Sequence, residues 1–138
     1  MFFIKMIKLP TKIYIDRSPI HGWGVFASET IEKDELIEET PYFTLFQRGE
    51  EKKDCSKELL NDYRFLFPAS IDWKEQVIPF GCGCIYNHSE DSNAYWETDE
   101  NRGTFKYKAK RKILPGEEIC TYYGPASYWN KRDHINIK

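Results

Sequence analysis

Apolar and polar positions alternate in short runs along most of the chain. In residues 12–16 the apolar side chains are Ile13 and Ile15, the period of a half-buried strand, and Arg17-Ser18-Pro19 ends the run. His21-Gly22-Trp23-Gly24 reads as a tight glycine-rich turn that feeds the β-prone stretch Val25-Phe26-Ala27. Residues 32–35 mix charges as an exposed turn does, and residues 36–46 read as strand with an edge or bend at Pro41. Residues 47–53 form a solvated loop. Asp54 or Ser56 then caps a helix whose apolar stripe is Leu59, Leu60, Tyr63, Leu66 and Phe67, closed by Pro68. Little period is visible from there to Pro79.

Further along, Phe105, Tyr107 and Ala109 alternate with Lys106, Lys108 and Lys110 after a turn at residues 99–103, which predicts the second arm of a hairpin. Pro115-Gly116 makes another turn, and residues 119–123 read as the next strand. Many short strands with one or two inserted helices make the fold mainly β, or α+β. No repeat, low-complexity tract or interdomain linker interrupts it, so residues 1–138 read as one domain.

Composition narrows the function. Twenty Lys and Arg against 22 Asp and Glu give a net charge of -2, which leaves no basic field for holding nucleic acid directly. The apolar start MFFIKMIKLP is broken by Lys5 and Lys8 and stopped by Pro10, too short for a membrane span. An intracellular, soluble chain without a membrane partner is expected, with Cys55, Cys82, Cys84 and Cys120 as reduced thiols. Cys82-Gly-Cys84 has the wrong spacing for a zinc ribbon and no second pair follows it.

Three clusters could carry chemistry. Gly22-Trp23-Gly24 lets backbone approach a ligand, and serves equally well as a plain turn; it lacks the third glycine and following helix of a dinucleotide fingerprint. Asn87-His88-Ser89-Glu90-Asp91-Ser92-Asn93 is dense in short polar side chains, a self-bonding loop or a ligand loop. His21 and His134 have no spacing to His88 that suggests a shared metal. The segment from Gly116 through Glu117, Glu118 and Thr121 to Tyr122-Tyr123-Gly124, followed by Tyr128-Trp129, offers aromatic rings with polar tips.

Taken in this order, the clusters resemble the SET-domain protein lysine methyltransferases over about residues 12–129: Gly22-Trp23-Gly24-Val25-Phe26-Ala27, Asn87-His88-Ser89 with Asn93, and Gly116-Glu117-Glu118 through Tyr123-Gly124. The short form, with Asp62-Tyr63 on the inserted helix, is similar to minimal viral and bacterial SET proteins. The resemblance implies a β-clip fold of small sheets with a short helical insert and a C-terminal pseudoknot. It implies S-adenosylmethionine as cofactor, with Gly22, Trp23 and Gly24 at its methionine end, Asn87 on its amino group, the His88 backbone at the adenine and Trp129 as stacking wall. Tyr123 matches the family's catalytic tyrosine and also borders the cofactor, while Tyr63, Tyr86, Tyr122 and Tyr128 are candidates for the channel that receives the substrate lysine. No metal is implied, because the cysteine cluster that binds zinc in many relatives is missing.

Two departures bear on expectation. Ser92 replaces a usual proline, and Thr121 occupies a position often filled by Phe or Tyr, which leaves room for di- or trimethylation. The implied activity is transfer of methyl to a lysine ε-amine of a basic protein or peptide, such as a histone, in the cytoplasm or, for a viral enzyme, the host nucleus. A catalytically idle SET fold acting as a binding module is the alternative, and a small metal domain on Cys82, Cys84 and His88 a third reading. Glu38, Glu39, Glu90 and Asp91 either steer a basic peptide or form a solvated face. Nine Tyr, 9 Phe and 4 Trp are many aromatics for one small core, and with the resemblance to small dimeric SET proteins they lead to the expectation of a homodimer.

Overall fold

A computed structural model describes residues 6–49, 63–69 and 72–123. Ten short strands and no α-helix occur among the described residues, and none of their segments is a helix long and apolar enough to cross a membrane. The strands are β1 (Ile13–Arg17), β2 (Trp23–Ala27), β3 (Leu36–Thr40), β4 (Tyr42–Gln47), β5 (Phe65–Phe67), β6 (Glu75–Pro79), β7 (Asn87–His88), β8 (Ala94–Asp99), β9 (Thr104–Ala109) and β10 (Glu118–Thr121). They are distributed over two compact units.

Of the described residues, one unit takes in 10–37, 85–96 and 107–123 and carries a four-stranded sheet of order β1-β2-β10-β7. β1 runs antiparallel to β2 with Ile13 opposite Ala27 and Arg17 opposite Trp23. β10 pairs antiparallel with β2 on one side, Ile119 opposite Val25, and parallel with β7 on the other, Cys120 opposite Asn87. Val25, Ala27, Ile31, Ile113 and Ile119 are fully buried, and the isolated bridge between Ile31 and Ile113 closes this core. The rings of Tyr86 and Tyr107 stack inside it at 4.7 Å. β1 departs from the expected half-buried strand: Ile15 is 48% exposed, because β1 is the edge of its sheet and only Ile13 is partly covered.

The second unit takes in the described residues 6–9, 38–49, 63–69, 72–84 and 97–106, with a sheet of order β4-β6-β5. Its rings Tyr42, Phe65 and Phe67 gather around the fully buried Phe105, with centroids 5.4–6.0 Å from it. This corrects the expected helix at its C-terminal end: Leu66 and Phe67 lie in β5, paired with Gln76 and Glu75 of β6. Three consecutive apolar residues satisfy a strand as readily as the last turn of a helix, and pairing with β6 decides between them. Leu59 and Leu60 of the expected helix lie outside the described residues, as does the segment after Tyr123 in which the pseudoknot is expected. β6 is an element the pattern did not predict. It is the central strand, buried from Gln76 to Pro79, so its side chains show no alternation. The strands β3, β9 and β8 are ordered β3-β9-β8, and the break at Pro41 between β3 and β4 follows the expected bend.

Candidate active site

The glycine-rich turn is built from its own backbone and one hydroxyl. Ser18 N–H donates to Gly22 O at 2.8 Å, while Ser18 Oγ accepts the N–H groups of Ile20 at 2.9 Å and His21 at 3.4 Å. Gly22 has φ +50°, and a Cβ placed there would meet nothing within 4 Å, so the turn presents open backbone. Trp23 follows with its ring half exposed under the Arg17 guanidinium, 4.0 Å from the ring centre. Gly24 is different. A Cβ there would lie 2.5 Å from Glu118 Oε2, so this glycine makes room for the protein's own carboxylate.

Asn87 and His88 are buried in β7. Asn87 Nδ2 faces three oxygens, donating towards His21 O and Trp23 O at 3.1 Å each and Glu118 Oε2 at 2.8 Å, which fixes the amide with Oδ1 on the opposite side. His88 Nδ1 accepts the Tyr123 N–H at 2.9 Å, so the ring proton is on Nε2, 3.3 Å from Glu90 Oε1. Asn93 ties the end of the loop to β10: its Nδ2 donates to Glu118 O and its Oδ1 accepts the Cys120 N–H, both at 2.8 Å. Ser89 N–H donates to Thr121 O at 3.1 Å. The polar loop is thus both self-bonding and bonded to the strand that carries the tyrosines.

Tyr123 is 38% exposed, and its hydroxyl donates to the Tyr86 backbone carbonyl. The Tyr122 and Tyr123 rings each lie 5.3 Å from the His88 ring. Tyr122 also lines an open hollow of about 360 Å³ with Ser92, Ala94, Tyr95, Trp96 and Lys110. One unit therefore brings together Gly22, Trp23, Gly24, Asn87, His88, Tyr122 and Tyr123, and the Tyr86 side chain of the same unit is a core ring stacked on Tyr107. Thr121 and Ser92 are both buried. Tyr63 belongs to the other unit and is 41% exposed. Tyr128 and Trp129 lie outside the described residues.

Two acidic residues take roles other than those expected, while the thiols stand as expected. Glu38 is buried, its carboxylate accepting the Cys82 N–H at 3.2 Å. Glu39 accepts from Arg102 Nε at 2.6 Å, Arg102 Nη2 at 3.0 Å and Thr104 Oγ1 at 2.6 Å. Burial opposes charge on Glu39, but these donors outweigh it and hold the carboxyl below the ordinary range. Neither residue is a solvated or steering charge; of the four acidic residues only Glu90 and Asp91 are exposed. Cys82, Cys84 and Cys120 are free thiols whose burial pushes them up to about 12, 11 and 12. Pattern reasoning missed Ser18 as a site residue and gave Glu118, although it lies in the third cluster, no role: Ser18 Oγ donates to the Glu118 carboxylate, 2.7 and 2.9 Å from its two oxygens. They stand 100 residues apart, and no local signal links them.

The chain is similar to several known proteins. The chain is 26% identical over 124 residues to the histone-lysine N-methyltransferase EZ1 of Zea mays, a match that takes in 86% of this chain and 13% of that protein. The chain thus spans about an eighth of the curated relative's length. Among solved structures, a candidate histone methyltransferase of Plasmodium falciparum superposes with a TM-score of 0.67 at 32% identity, over 84% of this chain and 96% of that one. The Neurospora SET domain protein DIM-5, a histone lysine methyltransferase, shares the fold with a TM-score of 0.61 at 19% identity, over 82% of this chain and 52% of that one. The family model described as SET domain matches residues 22–124, which take in the glycine-rich turn, the Asn-His-Ser loop and the Tyr123 strand end; the chain belongs to the SET-domain family.

Proposed function

We propose that this chain is a protein lysine N-methyltransferase that uses S-adenosylmethionine and acts on a lysine of a basic protein or peptide. Family membership and relatives named as histone-lysine methyltransferases support protein lysine methylation in general. The observation that carries the finer reading is the anchoring of Tyr123. Its N–H is bound to His88 Nδ1 and its hydroxyl to the Tyr86 carbonyl, so a polar tip is held at a partly exposed strand end beside the Asn-His-Ser loop.

The residues present suit such a cofactor. Open backbone at Gly22 and the Asn87 amide, whose Nδ2 is taken up by protein oxygens so that Oδ1 is the atom left to accept from an ammonium, match a zwitterionic amino-acid end. Trp23 and the His88 backbone would border the rest, with Gly24 completing the turn. Bound there, S-adenosylmethionine supplies an electrophilic methyl group. The chain's own work is then to bind the lysine in its neutral form and align it. A lysine amine with an ordinary pKa of about 10.4 is driven towards neutrality by desolvation among aromatic rings, and Tyr122 and Tyr123 provide such surface. The Tyr123 hydroxyl, fixed by its hydrogen bond, orients the amine, and alignment supplies most of the acceleration.

The test is incubation of the purified chain with methyl-labelled S-adenosylmethionine and a panel of basic proteins that includes core histones, read by mass spectrometry of the labelled residue. Label on a lysine ε-nitrogen, carried to the di- or trimethyl state that the small Thr121 permits, is the expected result. Cofactor binding without transfer to any panel member would instead favour a binding module.

A further inference from the structure

The three sequence segments of the site meet at one side chain. Glu118 opens β10, and its carboxylate accepts from Ser18 Oγ at 2.7 and 2.9 Å and from Asn87 Nδ2 at 2.8 Å, in a space that exists because residue 24 has no Cβ. Ser18 is the base of the glycine-rich turn: its N–H closes the turn on Gly22 O and its Oγ gathers the N–H groups of Ile20 and His21. Asn87 is the first residue of the Asn-His-Ser loop. A single carboxylate therefore links the turn on one side of β10 to the strand on its other side.

We propose that Glu118 is a positioning residue for the cofactor site: it holds the turn at residues 18–24 and Asn87 in one fixed relation, acting through Ser18 and Asn87 without touching the ligand. The inference rests on the reading that this site binds S-adenosylmethionine. His21 O and Trp23 O, which belong to the turn itself, keep the Asn87 amide in its sense even without Glu118, so loss of the carboxylate loosens the turn at its Ser18 end and leaves Asn87 in place. The anchoring of Tyr123 on His88 and Tyr86 does not involve Glu118. The effect should consequently fall on cofactor affinity.

The experiment measures S-adenosylhomocysteine binding by calorimetry on the full chain and on Glu118→Ala, Glu118→Gln, Ser18→Ala and the Ser18→Ala/Glu118→Ala double variant, each checked for folding by circular dichroism. Glu118→Ala should weaken binding about tenfold or more, the scale of one charge-assisted hydrogen bond, and Glu118→Gln, which keeps an acceptor oxygen, should recover most of the loss. Ser18→Ala should weaken binding severalfold, and the double variant should lose less than the product of the two single losses, because both substitutions break one shared linkage and Ser18→Ala adds only the loss of its bonds to the Ile20 and His21 N–H groups. Wild-type affinity in folded Glu118→Ala, a Glu118→Gln loss equal to that of Ala, or losses that multiply in the double variant would each overturn the proposal. If Glu118→Ala does not fold, Glu118→Gln and Ser18→Ala decide alone: wild-type affinity in both overturns it, and a severalfold loss in Ser18→Ala with a smaller loss in Glu118→Gln supports it. A wild-type chain that binds no S-adenosylhomocysteine would instead overturn the cofactor reading beneath it.

Discussion

Alanine at Gly24 and alanine at Gly22 should differ sharply, although the two glycines flank the same tryptophan. At Gly22 the added methyl group points into open space and the cost is the left-handed backbone alone, φ +50°, about 1 kcal/mol. At Gly24 the Cβ would lie 2.5 Å from Glu118 Oε2 and 3.0 Å from both Glu118 Cδ and Ser18 Cβ. The end of a glutamate usually yields to such pressure, but this one is held by Ser18 Oγ and Asn87 Nδ2. Relief by moving it sacrifices hydrogen bonds to a charged group, about 1.5–3 kcal/mol, and relief by moving the strand costs about 1–3 kcal/mol of overpacking. Gly24→Ala should therefore destabilise by about 1.5–3 kcal/mol, a sizeable share of a typical domain's stability. Urea unfolding followed by fluorescence, with unchanged slope, gives both values. In a Glu118→Ala background the further cost of Gly24→Ala should drop below about 1.5 kcal/mol, since only Ser18 Cβ remains to yield. Equal midpoint shifts for the two glycine variants, or an undiminished cost in that background, would refute the idea that an immobile carboxylate dictates glycine at position 24.

Other measurements reach other parts of the molecule. Tyr123→Phe keeps the ring and the N–H bond to His88, so S-adenosylhomocysteine affinity should stay within about threefold while methyl transfer falls roughly 10²-fold; wild-type turnover would assign the polar tip elsewhere. Glu39 has its carboxyl held below the ordinary 4.5, so folding favours its charged form; that stability is present above pH 4.5 and is lost as pH falls through the lowered value. Urea midpoints should thus fall more steeply below pH 4.5 in the wild type than in Arg102→Ala, and parallel curves would contradict the assignment. Cys82, Cys84 and Cys120, raised to about 12, 11 and 12 by burial, should react with iodoacetamide at pH 8 far more slowly in the native protein than in urea, as peptide-resolved mass spectrometry can follow.

What could be read ahead of the structure depended on whether burial was one-sided. Thr104–Ala109 buries Phe105, Tyr107 and Ala109 and leaves the lysines between them less covered, so its alternation was visible. Glu75–Pro79 is covered on both faces, and a strand of that kind carries no period. Phe65–Phe67 fitted a helical stripe begun at Leu59, and only the partner strand distinguishes the two. At the site, the order of the three motifs grouped Gly22, Asn87, His88 and Tyr123, which the structure places in one unit. The carboxylate among them was not legible: Glu118 is one of two adjacent glutamates in a charged turn, and its partner Ser18 is 100 residues away.

The placement of β10 between β2 and β7 has a consequence for how the chain acquires its structure. Its antiparallel partner lies roughly ninety residues earlier and its parallel partner roughly thirty, so both ladders are long-range and slow to close. Before β10 inserts, β2 and β7 each present an unpaired edge, and the turn, the loop and the tyrosines are three separate fragments. Ligand affinity should then appear in a single late kinetic phase, with no partially competent intermediate, and conditions that delay this last insertion should expose the chain to intermolecular strand pairing during refolding.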